Sequence, residues 1–286
     1  MANTPIFRRR WVQLILVLIS LFVIIKIYNL DPFGPEAQQT EPIIIAHRGW
    51  SSQAPENTLA AIRKALEVNA DMIEFDVHLC KDKVPVVIHD PTLERTTNGS
   101  GAVQDKSLFE LRQLDAGTWF GEDFADERIP TLSEVMALVQ GKCPLLIELK
   151  WDEEGAVYSG LVDSVLAEID RFGAVDWCVI QSFDAGMIRE VREKAPEIEA
   201  HKLILLDLPI LPGHIDRQWQ WTDGSHFDEG VSAINLWLKG LNPRVVNRIH
   251  ADGKKVFVYT VNEEADIDYC RKLGVDGVIT DGFAKR

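Results

Sequence analysis

Two pairs of charged residues, each spaced two positions apart, close two apolar runs of the sequence. Glu74 and Asp76 close the run MIEFD, and Glu148 and Lys150 close the run LLIELK. Residues two apart on a β-strand point to the same face of a sheet. If the two runs are neighbouring strands, three carboxylates and one lysine are predicted to face the same space.

Three carboxylates in one buried space repel one another and lose their solvation. A divalent cation removes this conflict, and a ligand set made only of oxygen atoms favours Mg²⁺, Ca²⁺ or Mn²⁺ over Zn²⁺. Glu74, Asp76 and Glu148 are therefore the candidate ligands of one divalent cation, which we expect to be Ca²⁺ or Mg²⁺.

His89 is predicted to reach the same space through a hairpin. The segments 75–79 and 84–88 are both strand-like. If they pair antiparallel, position 74 stands opposite about position 90. His89 then returns to the level of the two carboxylates on the first strand.

His47 and Arg48 follow another apolar run, IIIA, which predicts that they lie beside His89 and Lys150. Two histidines, a cation and two fixed positive charges suit acid–base cleavage of a phosphate ester. A single histidine or glutamate at a strand end is more often structural, and Arg48 could simply neutralise Glu74. The joint occurrence of all these residues at strand ends favours a functional site. The other histidines are interpreted as structural: His78, His201, His214, His226 and His250.

These side chains need a scaffold that brings strand ends together. Continuous runs of Ile, Val and Leu are typical of parallel strands buried on both faces, and helical patterns lie between several of the runs. Eight such strands in about 245 residues predict an α/β (β/α)8 TIM barrel, with its active site at the carboxyl ends of the strands. A doubly wound sheet is the alternative, but no glycine-rich turn follows the first run. The predicted strands are 43–45, 72–75, 145–149, 178–180, 203–206, 231–236, 256–259 and 277–279.

Some segments add to or depart from the simple barrel plan. Residues 77–143, approximately, exceed what one crossover needs and predict an insertion after strand two. Thr131 and Glu134 have the spacing of a capping box at the start of a helix. Asn57 or Thr58 is expected to cap an earlier helix. After the last run too few residues remain for an eighth outer helix.

The N-terminal part of the chain differs from the rest. Residues 1–10 form a basic leader, 11–30 are mostly apolar, and 31–42 are rich in proline and polar residues and predict a linker. About 20 apolar residues can span a bilayer, so one transmembrane helix is predicted before a barrel domain at 43–286. A cleaved signal peptide is the alternative, but no small-residue cleavage site follows. The arginines before the apolar segment predict a cytoplasmic N-terminus and an extracytoplasmic catalytic domain.

The charge balance limits the partners of the protein. The chain has 286 residues and a formal net charge of −14. Four of its 30 basic side chains lie in residues 1–30, which hold no acid, so the body has 26 basic and 44 acidic side chains. An acidic body argues against nucleic acid as a partner. The oligomeric state stays open. The four cysteines are most simply interpreted as free buried thiols: Cys80, Cys143, Cys178 and Cys270.

An ordered set of motifs over about residues 43–282 resembles the glycerophosphodiester phosphodiesterase family, within the PLC-like phosphodiesterase superfamily. The motifs are IIIAHRGW, APENTLAAI, MIEFDVHLCKDKVPVVIHDPTLERTTNGSG, LDAGTWF, IPTLSEV, LLIELK, VIQSFD, VYTVN and GVDGVITD. The resemblance implies a (β/α)8 barrel with an insertion after strand two. It implies that His47 and His89 are the acid–base pair. It implies that Ca²⁺ or Mg²⁺ is bound by Glu74, Asp76 and Glu148. It also implies that Arg48 and Lys150 contact the phosphate.

The chain departs from the family pattern outside this chemical core. Cys80 stands where threonine is usual, Lys83 stands where a turn glycine is common, and Tyr259 stands where tryptophan is usual. These departures bear on substrate fit and leave the chemical core intact.

Residues and resemblance together predict metal-dependent hydrolysis of glycerophosphodiesters, such as glycerophosphocholine, to glycerol 3-phosphate and an alcohol. Three alternatives stay open: lysophospholipase D-like activity on lysophospholipids, phospholipase C-like cleavage of inositol lipids, and a non-catalytic membrane-anchored binding module. The expected partners are a small glycerophosphodiester or lysophospholipid and, through the N-terminal helix, a membrane. The acidic body favours small or zwitterionic diesters over acidic lipids.

Overall fold

Eight parallel strands close into a barrel that forms the body of the protein. The computed structural model describes residues 15–20, 41–152, 154–207, 214–215, 221–222 and 230–282. Numbered along the chain, the barrel strands are β1 (Ile43–Ala46), β2 (Met72–Leu79), β4 (Leu145–Leu149), β5 (Cys178–Ser182), β6 (Glu199–Ile204), β10 (Ala233–Trp237), β11 (Lys255–Tyr259) and β12 (Gly277–Thr280). Their order is β1-β12-β11-β10-β6-β5-β4-β2, and β1 also pairs with β2. The closed barrel confirms the predicted α/β fold and excludes the open doubly wound sheet.

Helices supply most of the connections between barrel strands. The helices are α1 (residues 15–20), α2 (Leu59–Glu67), α3 (Leu108–Leu111), α4 (Leu132–Val139), α5 (Leu161–Arg171), α6 (Ala185–Lys194), α7 (Pro243–Ala251) and α8 (Glu264–Lys272). Short 3-10 turns lie at Val103–Asp105, Glu122–Phe124, Val175–Trp177 and Leu238–Gly240. Six of the helices, α2 and α4–α8, connect consecutive strands of the barrel and cover its outer face.

Two of these helices start where the sequence predicts. The Thr58 hydroxyl caps α2 and accepts a hydrogen bond from the backbone N–H of Ala61 at 3.3 Å. Thr131 and Glu134 form the predicted capping box at α4, in which the Thr131 N–H donates to the Glu134 carboxylate at 2.8 Å. These caps define where the loops leaving the barrel turn into helices.

β2 is longer than predicted because its second half leaves the barrel as one arm of a hairpin. It pairs antiparallel with β3 (Pro85–Val87), with Val77 opposite Val87. This register sets position 74 opposite position 90, as predicted, and the Ile88 N–H donates to the Asp76 carbonyl at 3.1 Å. At the turn, Lys83 has a φ of 61°, in the region that favours glycine.

The rest of the insertion packs against this hairpin. It contains α3 and two of the 3-10 turns, and then the chain enters α4, which packs beside α2. A small apolar core joins the insertion to the hairpin: Cys80, Val86, Ile88, Leu93, Val103, Leu111, Ala116 and Ile129. The insertion therefore packs β3 and Ile88 in place, and His89 follows directly at the barrel mouth.

β6 begins at Glu199, four residues before the predicted strand 203–206, so the predicted start was wrong. The first residues of β6 are polar, yet His201 and Lys202 are buried. The Lys202 ammonium donates to the carbonyls of Phe183 and Leu203. A search for apolar runs misses a strand whose buried polar groups find partners in this way.

A small antiparallel sheet follows β6. Its strands are β7 (Leu206–Asp207), β8 (His214–Ile215) and β9 (Trp221–Thr222), paired in that order. The sequence did not predict this sheet, because two-residue strands carry no periodic signal.

The core has one layer inside the barrel and others between the barrel and its helices. Inside, apolar side chains fill the barrel below the strand ends: Ile45, Met72, Leu146, Val179, Ala233, Phe257 and Ile279. The strands are buried on both faces, which explains why continuous apolar runs mark them. All four cysteines are buried and free, in agreement with the simplest interpretation of the sequence.

The membrane anchor predicted at 11–30 falls mostly outside the described residues, as do the leader 1–10 and most of the linker 31–42. Only α1 belongs to both the predicted anchor and the described chain. Among the described residues, no helix combines the length and apolar character needed to cross a bilayer. The anchor stays a prediction.

Candidate active site

A cavity of about 260 Å³ opens at the carboxyl ends of the barrel strands. Its size is slightly below the usual range for small-molecule sites. The polar wall contains Gln181 and all seven residues predicted from the sequence. The seven are His47, Arg48, Glu74, Asp76, His89, Glu148 and Lys150. The apolar wall contains Phe183, Leu203, Leu205, Trp237, Tyr259 and Ile279.

The three candidate cation ligands converge in the polar wall. Glu74, Asp76 and Glu148 are buried, and each offers a carboxylate oxygen that lies within 4.8 Å of those of the other two. The cause is the parallel pairing of β2 with β4, which sets Asp76 opposite Glu148. The Lys150 ammonium donates to Glu148 at 2.7 Å and lies 3.1 Å from Asp76. Lys150 therefore contacts two of the three carboxylates and does not contact Glu74 in this way.

Neutral donors hold two of these carboxylates in place. Glu74 accepts the backbone N–H of Arg48 at 2.9 Å and the side-chain amide of Gln181 at 3.1 Å, one on each oxygen. Asp76 accepts the side-chain amide of Asn57 at 2.8 Å, and its own N–H donates to the Asn57 oxygen at 3.2 Å. These bonds select one orientation for each carboxylate.

The two carboxylates on β2 differ in how well their charge is compensated. Burial, with the charges of Asp76 and Glu148, raises the pKa of Glu74 well above its ordinary value. Burial also acts to raise the pKa of Asp76, but nearby positive charges, first that of Lys150, outweigh it and hold this pKa well below its usual range. Glu74 therefore gains more than Asp76 does from an added cation.

The turn after β1 requires glycine. Arg48 and Gly49 both have positive φ, 55° and 77°. A Cβ on Gly49 would lie 2.5 Å from the backbone carbonyl carbon of Ala61, so no other residue fits without a shift of the helix. This turn directs the N–H of Arg48 at Glu74.

His47 is held by a carboxylate that follows the last strand. Its Nδ1 lies 2.6 Å from Asp281, which also accepts the amide of Asn262 at 2.6 Å and the hydroxyl of Ser51 at 3.1 Å. Burial acts to raise the pKa of Asp281, but these hydrogen bonds and the charge of His47 outweigh it and lower the pKa to about 2. An ionised carboxylate only accepts, so Nδ1 carries a proton and Nε2 of His47 is the free ring nitrogen.

His89 has the same arrangement with its neighbour in sequence. Its Nδ1 lies 2.6 Å from Asp90, which also accepts Arg95 through Nε at 2.6 Å. Burial lowers the pKa of His89 and favours the neutral ring. The backbone carbonyl of His89 lies 3.0 Å from Nε2 of the buried His78, which supports the backbone at this position.

A ladder of alternating charges joins the loop after β1 to the loop after β3. Both oxygens of Glu56 lie 2.8 Å from the guanidinium of Arg95, and one of them also accepts Arg48 at 2.6 Å. Arg95 in turn binds Asp90, and Arg48 Nε lies 3.6 Å from Asp76. We call Asp90, Arg95, Glu56 and Arg48 the charge ladder. It links the position of the histidine loop to that of the arginine loop.

The histidines interpreted as structural have structural surroundings where the structure describes them. His78 is buried 2.7 Å from the Tyr158 hydroxyl, and burial lowers its pKa to about 3. His201 lies inside the barrel, and His250 pairs with Asp276 at 2.7 Å on the surface. The side chains of His214 and His226 lie outside the described set.

Aromatic rings form much of the apolar wall. Phe183 packs edge to face against Tyr259, with ring centroids 6.1 Å apart, and against Trp151 at 6.0 Å. The Tyr259 hydroxyl donates to the Ile204 carbonyl at 2.8 Å, so its ring is held at the mouth. An apolar wall facing a charged wall suits a substrate with a phosphate at one end and an uncharged or diffusely charged group at the other.

Sequence reasoning missed four residues that hold the site together: Asp281, Asp90, Glu56 and Arg95. Asp281 lies two positions after the predicted strand 277–279, so the strand-end argument that found His47 could also have found it. Gln181 stood at a strand end but received no role. Glu56 and Arg95 lie in irregular loops, where no periodic pattern predicts which side chains meet.

The chain matches the Glycerophosphoryl diester phosphodiesterase family over residues 47–285. A glycerophosphodiester phosphodiesterase from Caldanaerobacter subterraneus subsp. tengcongensis is 37% identical over 239 residues, which are 84% of this chain and 93% of that relative. A phosphodiesterase from Oleispira antarctica, solved in complex with the product sn-glycerol-3-phosphate, is 31% identical with a TM-score of 0.73, over 84% of this chain and 93% of that one. A glycerophosphodiester phosphodiesterase structure from Agrobacterium tumefaciens is 30% identical with a TM-score of 0.68, over 84% and 96%.

The closed barrel, the site at its mouth and these relatives define an enzyme of the phosphoric diester hydrolase class. The chain belongs to the glycerophosphoryl diester phosphodiesterase family. The alternative of a non-catalytic binding module is therefore not retained.

Proposed function

We propose that the protein hydrolyses glycerophosphodiesters, such as glycerophosphocholine, to sn-glycerol 3-phosphate and an alcohol, by cation-dependent two-histidine catalysis. The observation that carries the proposal is the pairing of each histidine with a carboxylate through Nδ1, His47 with Asp281 and His89 with Asp90, in one cavity. This pairing leaves two Nε2 atoms for proton transfer beside a cluster of buried carboxylates.

The donor set fits a hard divalent cation. Glu74, Asp76 and Glu148 would hold it, since their oxygens already converge and Lys150 alone does not balance their charge. All-oxygen ligands suit Ca²⁺ or Mg²⁺. When bound, such a cation polarises phosphoryl oxygens and offsets the negative charge that develops on them.

The two histidines divide the proton transfers. One imidazole takes a proton from the nucleophile at its unprotonated Nε2, and the other, which enters the reaction as an imidazolium, gives its Nε2 proton to the oxygen of the leaving alcohol. The nucleophile is water, or it is the neighbouring glycerol hydroxyl, in which case water then opens the cyclic phosphate. Asp281 and Asp90 hold the rings in the tautomer that presents Nε2, and they stabilise the imidazolium that forms on proton uptake. Their 2.6 Å contacts limit rotation of both rings.

Arg48 and Lys150 are proposed to contact the phosphate. Glu56 holds one terminal nitrogen of Arg48, which leaves the rest of the guanidinium for the cavity that Arg48 lines. Lys150 lies between Asp76 and Glu148 at the polar wall, where its positive charge can offset the negative charge of a bound phosphate.

A lysophospholipase D-like activity is the second candidate, and the apolar wall favours it. Phe183, Leu203, Leu205, Trp237 and Tyr259 could receive apolar parts of a lipid. Comparison of glycerophosphocholine with lysophosphatidylcholine separates the two activities. A large preference for the lysolipid would replace the first proposal with the second.

We also propose that residues 11–30 anchor the enzyme in a membrane with the catalytic domain extracytoplasmic. The support is the apolar run itself and the arginines that precede it. A reporter enzyme that is active on only one side of a membrane, fused to the C-terminus, tests the orientation. Reporter activity in the cytoplasm would contradict it.

One assay tests the proposed activity as a whole. Glycerophosphocholine, other glycerophosphodiesters and lysolipids are each incubated with the full chain in EDTA, in Ca²⁺ and in Mg²⁺, and products are identified. The proposal expects sn-glycerol 3-phosphate, formed only with a cation. Full turnover in EDTA would contradict the cation, and a cyclic phosphate as the final product would contradict hydrolysis.

A further inference from the structure

A chain of buried amides runs from Glu74 into the interior of the barrel. Gln181 on β5 donates its Nε2 to Glu74 at 3.1 Å, and its Oε1 accepts the Nδ2 of Asn235 on β10 at 2.6 Å. β6 lies between these strands and carries His201 directly beside Gln181 in the sheet register. Gln181, Asn235 and His201 are each no more than 1% exposed. None of them has a role in the proton transfers proposed above.

The far end of this chain defines its direction. His201 Nε2 lies 3.3 Å from a carboxylate oxygen of Glu199, which also accepts the Ser232 hydroxyl at 2.7 Å. The hydrogen bond to His201, first among several causes, lowers the pKa of Glu199 to about 2, so this carboxylate is ionised and only accepts. Nε2 of His201 therefore carries a proton. Since burial lowers the pKa of His201, the ring is neutral and its Nδ1 is an acceptor.

Two buried acceptors remain between the neighbouring side chains of His201 and Asn235. His201 Nδ1 and Asn235 Oδ1 have no hydrogen-bond partner among the described residues. Reversal of both amides would give His201 Nδ1 a donor, but it would set the Gln181 oxygen against an oxygen of Glu74, which is acceptor against acceptor once Glu74 is ionised to bind a cation.

We propose that Gln181 and Asn235, which lead from His201 to Glu74, are positioning residues that orient Glu74 to bind the divalent cation. This inference rests on the proposed function, in which Glu74 is a cation ligand. The chain keeps a donor on one Glu74 oxygen, while the Arg48 N–H stays on the other. Glu74 is thereby held in one rotamer, so cation binding orders less of the protein.

Calorimetric titration of Ca²⁺ and of Mg²⁺ into the EDTA-treated full chain tests this role without any assay of turnover. Gln181→Met and Asn235→Leu keep side-chain volume and remove the polar groups. We expect each to weaken the cation Kd about 10-fold or more, the size of effect seen when residues that orient metal ligands are changed. Asn235→Ala, which adds no bulk, replaces Asn235→Leu if the leucine variant does not fold.

Val179→Ala is the matched control, because Val179 packs in the interior of the same strand, β5, outside the amide chain. It is expected to lower the Tm and to leave the cation Kd within about twofold, since it opens a cavity without touching Glu74. Thermal unfolding without cation is recorded for every variant. The inference expects the Kd to change independently of the Tm.

Three results would overturn the inference, and they are distinguishable. A wild-type Kd in Asn235→Leu overturns the role of the chain and leaves the cation site intact. A Kd that follows the Tm in all variants, Val179→Ala included, reduces the effect to general loosening and overturns it too. Failure of the wild-type protein to bind either cation overturns the proposed cation site, and the inference with it.

Discussion

Asp281 lies 2.6 Å from Nδ1 of His47 although 234 positions separate the two residues in the sequence. The contact exists because β12 pairs in parallel with β1, so the carboxyl ends of the first and last strands meet. His89 obtains the same contact from the next residue, Asp90. Closure of the barrel is therefore part of the site: without it one of the two histidines has no carboxylate.

Asp281→Asn is expected to lower kcat about 100-fold or more with little change in KM. The amide can donate to Nδ1 and select the wrong tautomer of His47, and the equivalent change in a Ser-His-Asp triad costs about 10⁴ in kcat. Steady-state kinetics on glycerophosphocholine provide the measurement. Asp276→Asn is the matched control, because Asp276 pairs with His250 on the surface at 2.7 Å. Equal activity of the two variants would contradict the role of Asp281.

Glu56→Gln is expected to raise KM and to lower kcat/KM about 10-fold. Loss of the Glu56 charge frees Arg48 to turn towards Asp76 and removes the partner that holds Arg95 on Asp90. A charge-assisted hydrogen bond contributes about 1.5–3 kcal/mol, which sets the scale of the effect. Glu67→Gln, on the surface of α2, is the control. An unchanged KM for Glu56→Gln would show that the charge ladder does not position the phosphate contact.

Removal of the cation is expected to lower the Tm. Binding to the folded state alone adds about 2.7 kcal/mol of stability at a cation concentration 100 times the Kd. For a chain of this size that corresponds to a shift of roughly 5–10 °C. Scanning calorimetry with and without EDTA measures it.

Glu148→Gln is expected to abolish most of this shift, since it removes a ligand oxygen charge from the cluster. Glu190→Gln, in which the lost charge is on the surface beside Lys194, is the control and is expected to keep the full shift. The same Tm with and without cation in the wild-type protein would argue against a structural effect of the cation.

His201 is expected to make the protein less stable as the pH falls. Burial lowers its pKa in the folded state, whereas the unfolded chain binds a proton near the ordinary value of about 6.5. The unfolded state therefore holds more protons below that pH, and stability that is present above it is lost as the pH falls. The expected slope is at most about 1.4 kcal/mol per pH unit.

Urea unfolding of the wild-type protein and of His201→Leu between pH 8 and pH 5 measures this effect. The wild-type free energy of unfolding should fall relative to that of the variant as the pH decreases. Other buried histidines, such as His78, are common to both proteins and cancel in the difference. Parallel curves would refute the assignment of a neutral, buried His201.

Much of the fold followed from the sequence because buried parallel strands leave continuous apolar runs, and seven of the eight predicted strands overlap their counterparts closely. The hairpin that carries His89 followed from strand length and a turn, and its register agreed with the prediction. The start of β6 was missed because His201 and Lys202 are polar and buried. The pattern of hydrophobic residues does not predict which polar side chains are buried with hydrogen-bond partners.

Site residues were predictable where a strand carried them to the barrel mouth. Glu74, Asp76, Glu148 and Lys150 needed only period-two alternation and one strand pairing. The charge ladder was not predictable, because it joins two irregular loops through side chains whose proximity depends on the whole insertion. The amide chain was hidden for a different reason: Asn235 lies in the mostly apolar run 231–236 and looks, like Ser232, only like an interruption of it.

The central claim is that His47 and His89 carry out the proton transfers beside a bound cation. The most direct test is turnover of glycerophosphocholine by the wild-type protein, His47→Ala and His89→Ala in Ca²⁺ and in EDTA, with cation binding measured by calorimetry. Each variant is expected to bind the cation and to lose about 10²–10⁴ in kcat, and the wild-type protein to lose activity in EDTA. Near-full cation-dependent turnover in both variants would contradict the account.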